Sequence, residues 1–147
     1  MATIKLFTIG FTQKGAEAFF SALLTAGVRR LIDIRLNNVS QLAGFTKRDD
    51  LGYFLKVIGD IGYLHRPDLA PTQQMLDAFK KGRGDWSVFE RAFLDLCQQR
   101  EIEEQVSRDL LDQSCLLCSE ATPDHCHRRL VAEYLQQRLG DIEICHL

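Results

Sequence analysis

Short apolar runs alternate along this chain with segments whose apolar residues recur at helical spacing. The short runs predict strands, because they are rich in β-branched and aromatic residues and are bounded by turn residues. They are TIKLFTIG (3–10), VRRLIDIR (28–35), YLHR (63–66), SCLLC (114–118) and DIEICHL (141–147). The periodic segments predict helices, with a break inside the longest. They cover 16–27, 49–62, 72–82, 86–113 and 123–140.

This alternation predicts an α/β fold, with a mostly parallel sheet of about five strands and helices on both faces. The run SCLLC is apolar on both faces, which predicts a central strand. With 147 residues the chain is expected to form one domain over 1–147. A chain of this length buries about 70% of its unfolded surface. The pattern does not give the strand order.

The composition of the chain limits which binding partners and which cellular compartment are expected. The net charge of −2 argues against a general nucleic-acid-binding surface, so any recognition of an anion must be local. No apolar run approaches the roughly 18 residues of a membrane span. The opening MATIKLFTIG lacks the apolar core and cleavage site of a signal peptide. Together with five cysteines, an odd number, this predicts reduced thiols in a cytoplasm.

Polar side chains follow the apolar strands at the end where parallel sheets bind ligands. Asp33 and Arg35 lie at the end of the second strand, and Cys118 and Glu120 at the end of the fourth. Residues two apart in a strand share a face, and the carboxyl ends of parallel strands form the ligand-binding edge. We therefore expect these four side chains to form part of one site.

The segment CSEATPDHCHRR (118–129) predicts a helix start that carries reactive groups. Thr122 is the expected N-cap and Pro123 the expected first helical residue. Cys126 would then lie at the end of the first turn, where the helix dipole lowers a thiol pKa, here modestly because of a nearby aspartate. The apolar stripe of this helix places His127 facing the sheet, with Cys126 and Arg128 on its flanks.

Each of these residues also has a purely structural interpretation. In that interpretation His127 is a satisfied core histidine, Cys126 is a small buried hydrophobe, and Asp33 with Arg35 is a structural ion pair. The spacing CLLC, with Cys126 and His127 downstream, suggests zinc, but Cys115 and Cys118 would point to opposite faces of a strand, so no metal or other cofactor is expected. A disulfide between Cys118 and Cys126 is geometrically possible. The cysteine-and-arginine phosphate loop of tyrosine phosphatases is absent.

Three segments carry a resemblance to a known family: TIGFT (8–12), LIDIRLNNVSQLAGFTK (31–47) and LLCSEATPDHCHRRLVAEYL (116–135). They are similar to segments of the domain-of-unknown-function family 488. The resemblance implies an α/β fold and no established activity. It places the family's motif positions on Asp33, Arg35, Cys118, Glu120, Pro123, Cys126, His127 and Arg128. Thr12, where many members have serine, keeps the hydroxyl and is a candidate binding residue. Many members also have a proline in the segment where this chain reads Leu36, Asn37 and Asn38.

Two hypotheses of function follow. In the first, the chain is an enzyme for a small anionic or phosphorylated ligand, such as a nucleotide, or for nucleic acid. Arg35 and Arg128 would bind the anion beside the last helix, Glu120 and His127 would act as acid and base, and Cys126 as nucleophile or packing group. In the second, the same edge is a non-catalytic anion-binding or thiol-redox module. If Arg128 binds the anion, the substitution Arg128→Lys should leave folding intact and weaken anion binding.

Overall fold

A computed structural model of the chain describes residues 3–38, 44–80, 85–119 and 125–147. Its centre is a five-stranded parallel sheet with the strand order β3-β2-β4-β1-β5. The predicted α/β class is therefore confirmed, as is the central position of SCLLC, which is β4. The strands are β1 (Ile4–Gly10), β2 (Arg30–Asp33), β3 (Gly62–His65), β4 (Ser114–Cys118) and β5 (Ile142–His146).

Helices α1 (Ala16–Ala26) and α2 (Arg48–Gly59) cover one face of the sheet. They bury an apolar cluster that includes Phe19 and Leu55 against β1, β2 and β4. Helix α1 ends at the predicted glycine, because Gly27 adopts a left-handed conformation with φ of 76° and its N–H caps the last helical carbonyls. Local sequence therefore specified where this helix stops.

The second face is covered by the remaining helices of the described chain. They are α3 (Gln73–Lys80), α4 (Trp86–Arg100), α5 (Ile102–Gln105), α6 (Arg108–Leu111) and α7 (His127–Leu139). The predicted long helix is broken twice, at Glu101 in a left-handed conformation and at Ser107, which caps α6. None of the described helices has the length and apolar character to cross a membrane.

The start of α7 differs from the sequence-based prediction. The helix begins at His127, and its N-cap is Cys126 in an extended conformation with φ of −135° and ψ of 137°. The helix therefore begins later than predicted, while the predicted N-cap Thr122 and first helical residue Pro123 lie outside the described residues. The physical reason is tertiary: both Cys126 and His127 are buried, at 2% and 8% exposure, which outweighs local capping preference.

The sheet order leaves a crevice between the carboxyl ends of β2 and β4. These strands are neighbours, and Asp33 pairs in register with Leu117. The chain leaves β2 toward the face covered by α2 and leaves β4 toward the face covered by α7. Ligands of open parallel sheets bind where neighbouring connections diverge in this way.

Candidate active site

A buried ion pair lies at the carboxyl end of β2. Asp33 is fully buried and Arg35 is 3% exposed. The Nε and Nη2 atoms of Arg35 donate to the two carboxylate oxygens of Asp33, each at 2.8 Å, and Nη2 also donates to the carbonyl of Thr46 at 2.7 Å. This two-pronged contact fixes the plane and direction of the guanidinium.

Two further side chains support the carboxylate of Asp33. The hydroxyl of Tyr63 donates to Asp33 at 2.5 Å, and the Asn38 amide donates to the Tyr63 oxygen at 3.1 Å. Burial alone would raise the pKa of Asp33, but the hydrogen bonds and charge of Arg35, with the Tyr63 hydroxyl, outweigh it and lower that pKa. Burial raises the pKa of Tyr63, and the hydrogen bond to Asp33 raises it further. Asp33 is therefore a carboxylate at neutral pH.

The lowered pKa of Asp33 predicts how stability depends on pH. A carboxyl group whose folded-state pKa is depressed stabilises the fold above its unfolded pKa of about 3.9 and loses this contribution as pH falls through the folded value. We expect Asp33→Asn to be less stable than wild type at pH 7, and the difference to shrink below about pH 4. Urea unfolding across this pH range measures it. Asp60→Asn, at an exposed residue, is the control, and a difference that stays constant down to pH 2 would contradict the prediction.

Part of the Arg35 guanidinium is left without a protein partner. Its Nη1 atom is buried and makes no hydrogen bond to any of the residues that the structure describes. Buried polar atoms in proteins almost always make a hydrogen bond, so a buried donor without one needs a specific explanation. Arg35 is also one of the residues that line a pocket at this edge of the sheet.

Two thiols and an imidazole meet at the end of β4. The Cys118 sulfur lies 3.2 Å from Nδ1 of His127, and Nε2 of His127 lies 2.7 Å from the carbonyl oxygen of Ile34. Because that carbonyl only accepts, Nε2 of His127 is the donor in this bond, and Nδ1 faces the Cys118 sulfur. The ligand atoms of Cys118, Cys126 and His127 all lie within 4.8 Å of one another.

Burial controls the acidity of the second thiol in this cluster. Burial raises the pKa of Cys126 well above the usual value for a thiol, and the contact with Cys118 raises it further. The contact with His127 lowers this pKa, but by less. The modest lowering expected from a helix dipole is therefore wrong, because desolvation outweighs the dipole when the sulfur is buried. Cys126 is therefore a neutral thiol at neutral pH.

Arg35 and the thiol–imidazole cluster line one pocket of about 220 Å³ at the predicted edge of the sheet, whereas Asp33 is not among its lining residues. Its polar lining consists of Arg35, Asn37, Cys118, Ser119, Cys126 and His127. Its other walls are apolar or aromatic and come mainly from the segment after β3 and from α3 and α4. These residues are Leu36, Pro71, Leu76, Phe79, Trp86, Phe89 and His125. The pocket thus combines one buried cation, one thiol–imidazole cluster and an aromatic wall.

The structure does not bring every predicted site residue to this pocket. Arg128 is 1% exposed and is not among the pocket's lining residues, and its Nε donates to the Thr8 hydroxyl at 3.3 Å. Thr12 also lies off the pocket, where its hydroxyl donates to the carbonyl of Ser119 at 2.6 Å. Glu120 lies outside the described residues, so its role as an acid or base stays a prediction.

Sequence reasoning missed the aromatic wall and the support of Asp33 by Tyr63. Trp86 stacks on His125, with ring centroids 5.0 Å apart, and on Phe89 at 5.1 Å. One signal was available, since Trp86 is the chain's single tryptophan and follows a glycine-rich segment. Nothing local marked Tyr63, which reaches Asp33 only because β3 pairs with β2.

Comparison with known proteins places the chain in a family. The model of the domain of unknown function DUF488 matches residues 15–135, well over half of the chain. The chain belongs to the DUF488 family. The match includes the segments that carry Asp33, Arg35, Cys118, Cys126 and His127, so the pocket of this DUF488 protein is built largely from within the family domain. No curated protein and no solved structure matches the chain significantly.

Proposed function

We propose that this pocket is the active site of an enzyme that acts on a small anionic substrate with a planar ring, of the nucleotide class. The observation that carries the proposal is the buried Nη1 atom of Arg35, which lacks a protein partner among the described residues. Asp33 holds the guanidinium in place and leaves this N–H group for a ligand. A fixed arginine donor favours phosphate or carboxylate oxygens.

The start of α7 adds to the attraction for an anion. Cys126 is its N-cap and the Cys126 side chain makes no capping hydrogen bond. Since Cys126 and His127 line the pocket, the first turn of α7 and the positive end of its dipole lie there. The α7 helix has 13 residues, enough turns for the dipole to develop. An anion bound by Arg35 would therefore be stabilised by a second, independent group.

The aromatic wall favours a flat ring beside the anionic group. Phe79, Trp86 and His125 line the same pocket as the polar cluster, and aromatic side chains stack on nucleobases with about 1–3 kcal/mol per base. The volume of about 220 Å³ suits one small ligand and not a duplex. The net charge of −2 also favours a free nucleotide over a nucleic-acid polymer.

The thiol–imidazole cluster supplies the reactive groups of the proposed site. Nδ1 of His127 contacts the Cys118 thiol, so a proton can move between them inside the pocket. Cys126, a neutral buried thiol, is less suited to the role of nucleophile than the sequence analysis expected. A reducing cytoplasm is the proposed setting, since all five cysteines are free thiols.

A second candidate is a thiol-redox module. It is favoured by the closeness of the Cys118 and Cys126 sulfur atoms, which lie within 4.8 Å of each other. Oxidation by an external disulfide would form one S–S bond, and the two thiol hydrogens and two electrons would pass to that oxidant. Protein that gains this bond reversibly in a glutathione buffer, without binding any anion, would favour this candidate over the enzyme.

Trp86 provides the test of the proposed active site. Because it is the only tryptophan and lies in the pocket wall, its fluorescence, excited at the red edge of its absorption, reports ligand binding directly. We expect nucleoside monophosphates to change the emission saturably. The matched nucleosides, which lack the anionic group, should bind at least about tenfold more weakly, because a charged hydrogen bond contributes about 1.5–3 kcal/mol.

The four common ribonucleotides, their nucleosides and inorganic phosphate form the ligand set. Thermal melting with each ligand is the second measurement, since it does not depend on the tryptophan. Equal affinity for a nucleoside and its nucleotide would show that Arg35 does not bind the anionic group. No response in either measurement at millimolar ligand would contradict the proposed substrate class.

A further inference from the structure

We propose that Cys118, Cys126 and His127 bind one zinc-class metal ion and leave one coordination position open to the pocket. The metal site itself is argued from the arrangement of three ligand atoms. Only the role of the open position in catalysis rests on the proposed function.

The spacing of the three ligand atoms suits a single tetrahedral ion. Zinc binds thiolate sulfur at about 2.3 Å and histidine nitrogen at about 2.0–2.1 Å, so ligand atoms around it lie roughly 3.5–3.8 Å apart. In this protein the Cys118 sulfur and His127 Nδ1 are 3.2 Å apart, and every pair of the three atoms is within 4.8 Å. Shifts of a few tenths of an ångström to about an ångström would complete the geometry.

The donor set selects the class of metal. Two thiols and one imidazole are soft or borderline ligands, which favour zinc and related transition metals over magnesium and calcium. Three protein ligands with the fourth position open are typical of catalytic zinc sites, whereas structural sites use four. Among the described residues, Cys118, Cys126 and His127 are the group whose potential ligand atoms lie close enough together to bind one metal ion.

The orientation of His127 is that of a metal ligand. Its Nε2–H donates to the Ile34 carbonyl at 2.7 Å, and metal-binding histidines almost always donate their other ring N–H to such a partner. This bond turns the lone pair of Nδ1 toward the two sulfur atoms. The ring also packs edge-on against Phe93, with centroids 5.6 Å apart, which restricts its rotation.

The charge balance is compatible with the burial of the site. One Zn²⁺ and two thiols give a zinc dithiolate and two protons, which pass to solvent, so the metal, two thiolates and neutral imidazole carry no net charge. Two bare thiolates would instead place two negative charges in a buried cluster. The metal therefore offers a stable way to hold both sulfur atoms deprotonated.

The sequence argument against zinc concerned a different pair of cysteines. It held that Cys115 and Cys118 face opposite sides of their strand, and in the structure Cys115 lies in the apolar cluster under α1 and α2. The second thiol comes instead from Cys126, eight residues after Cys118, at the point where α7 returns to the sheet. That return depends on the fold and not on C-x-x-C spacing.

All three ligands line the pocket that also contains Arg35. A water molecule in the fourth position would therefore face the bound substrate. Metal coordination lowers the pKa of such a water toward neutrality and makes it a nucleophile. If the proposed function holds, this gives the pocket a hydrolytic or deaminating type of chemistry that neutral thiols do not supply.

Cobalt(II) tests the site, because it replaces zinc and gives visible absorption and thiolate charge-transfer bands. We expect the reduced full chain to bind one cobalt ion, with tetrahedral bands and charge transfer from two thiolates. Cys118→Ala and Cys126→Ala should each remove about half of the charge-transfer intensity and weaken binding by more than about 10-fold, since loss of a residue that only supports a ligand already costs about 10–100-fold. Cys97→Ala, at a buried thiol, and Cys145→Ala, at an exposed one, should bind cobalt like wild type.

X-ray absorption of zinc-loaded wild type gives the ligand count even if the alanine variants fail to fold. Two sulfur and two lighter ligands would support the site. The absence of cobalt binding by fully reduced protein, a spectrum without sulfur, or unchanged binding in Cys118→Ala would each overturn it. Nucleotide binding by metal-free protein, measured with Trp86, tests the proposed function separately, so the failure of one leaves the other standing.

Discussion

Arg35→Met is expected to lower the free energy of unfolding by about 3–5 kcal/mol. The substitution leaves the carboxylate of Asp33, which is fully buried, without its main charged partner. Urea unfolding at pH 7 measures the loss. Arg48→Met is the matched control, because the ion pair of Arg48 with Asp49 is exposed, and exposed pairs contribute about 0–1 kcal/mol.

A double variant separates stability from ligand binding. Combining Arg35→Met with Asp33→Asn removes both charges, and removal of both partners is far less destabilising than removal of one. We expect the double variant to recover much of the lost stability and still to bind nucleotides no better than nucleosides. A single variant that loses under about 1 kcal/mol would show that the pair is not a buried unit, and full nucleotide selectivity in the double variant would exclude Arg35 as the anchor.

Arg128→Ala is expected to lower the free energy of unfolding by a similar amount, about 3–5 kcal/mol. Arg128 is among the largest fully buried side chains of the described chain, so truncation leaves a cavity and removes the bond to the Thr8 hydroxyl. Thermal and urea unfolding measure the effect. Arg138→Ala is the control, since Arg138 lies on the same helix and is exposed.

Ligand binding distinguishes this structural role from the anion-binding role that the sequence suggested. We expect folded Arg128→Ala protein to bind nucleoside monophosphates within about twofold of wild type at a temperature well below its melting point, because Arg128 is not among the pocket's lining residues. Arg128→Lys, which keeps the charge, should also melt below wild type. If Arg128→Lys had wild-type stability but no longer bound nucleotides, Arg128 would be an anion-binding residue of the site.

Much of the fold follows from local sequence patterns. The apolar runs gave the strands, and the positions of Gly27 and of the all-apolar SCLLC gave a helix end and the central strand. Such features depend on neighbouring residues: side chains alternate along a strand and recur every 3.6 residues in a helix. The pairing of Asp33 with Arg35 belongs to the same class, since residues two apart at a strand end project together.

The assembly of the candidate site was decided by the tertiary structure. The strand order places β4 beside β2, so that the ring of His127 contacts both Cys118 and the carbonyl of Ile34. Trp86 and Tyr63 reach the site from segments far along the chain, and burial of Cys126 reverses the pKa shift that a helix start alone would produce. Local sequence determined the elements and some of the reactive groups of this protein. The fold decided which groups meet and how acidic they are, because desolvation and distance depend on packing between segments that the sequence holds far apart.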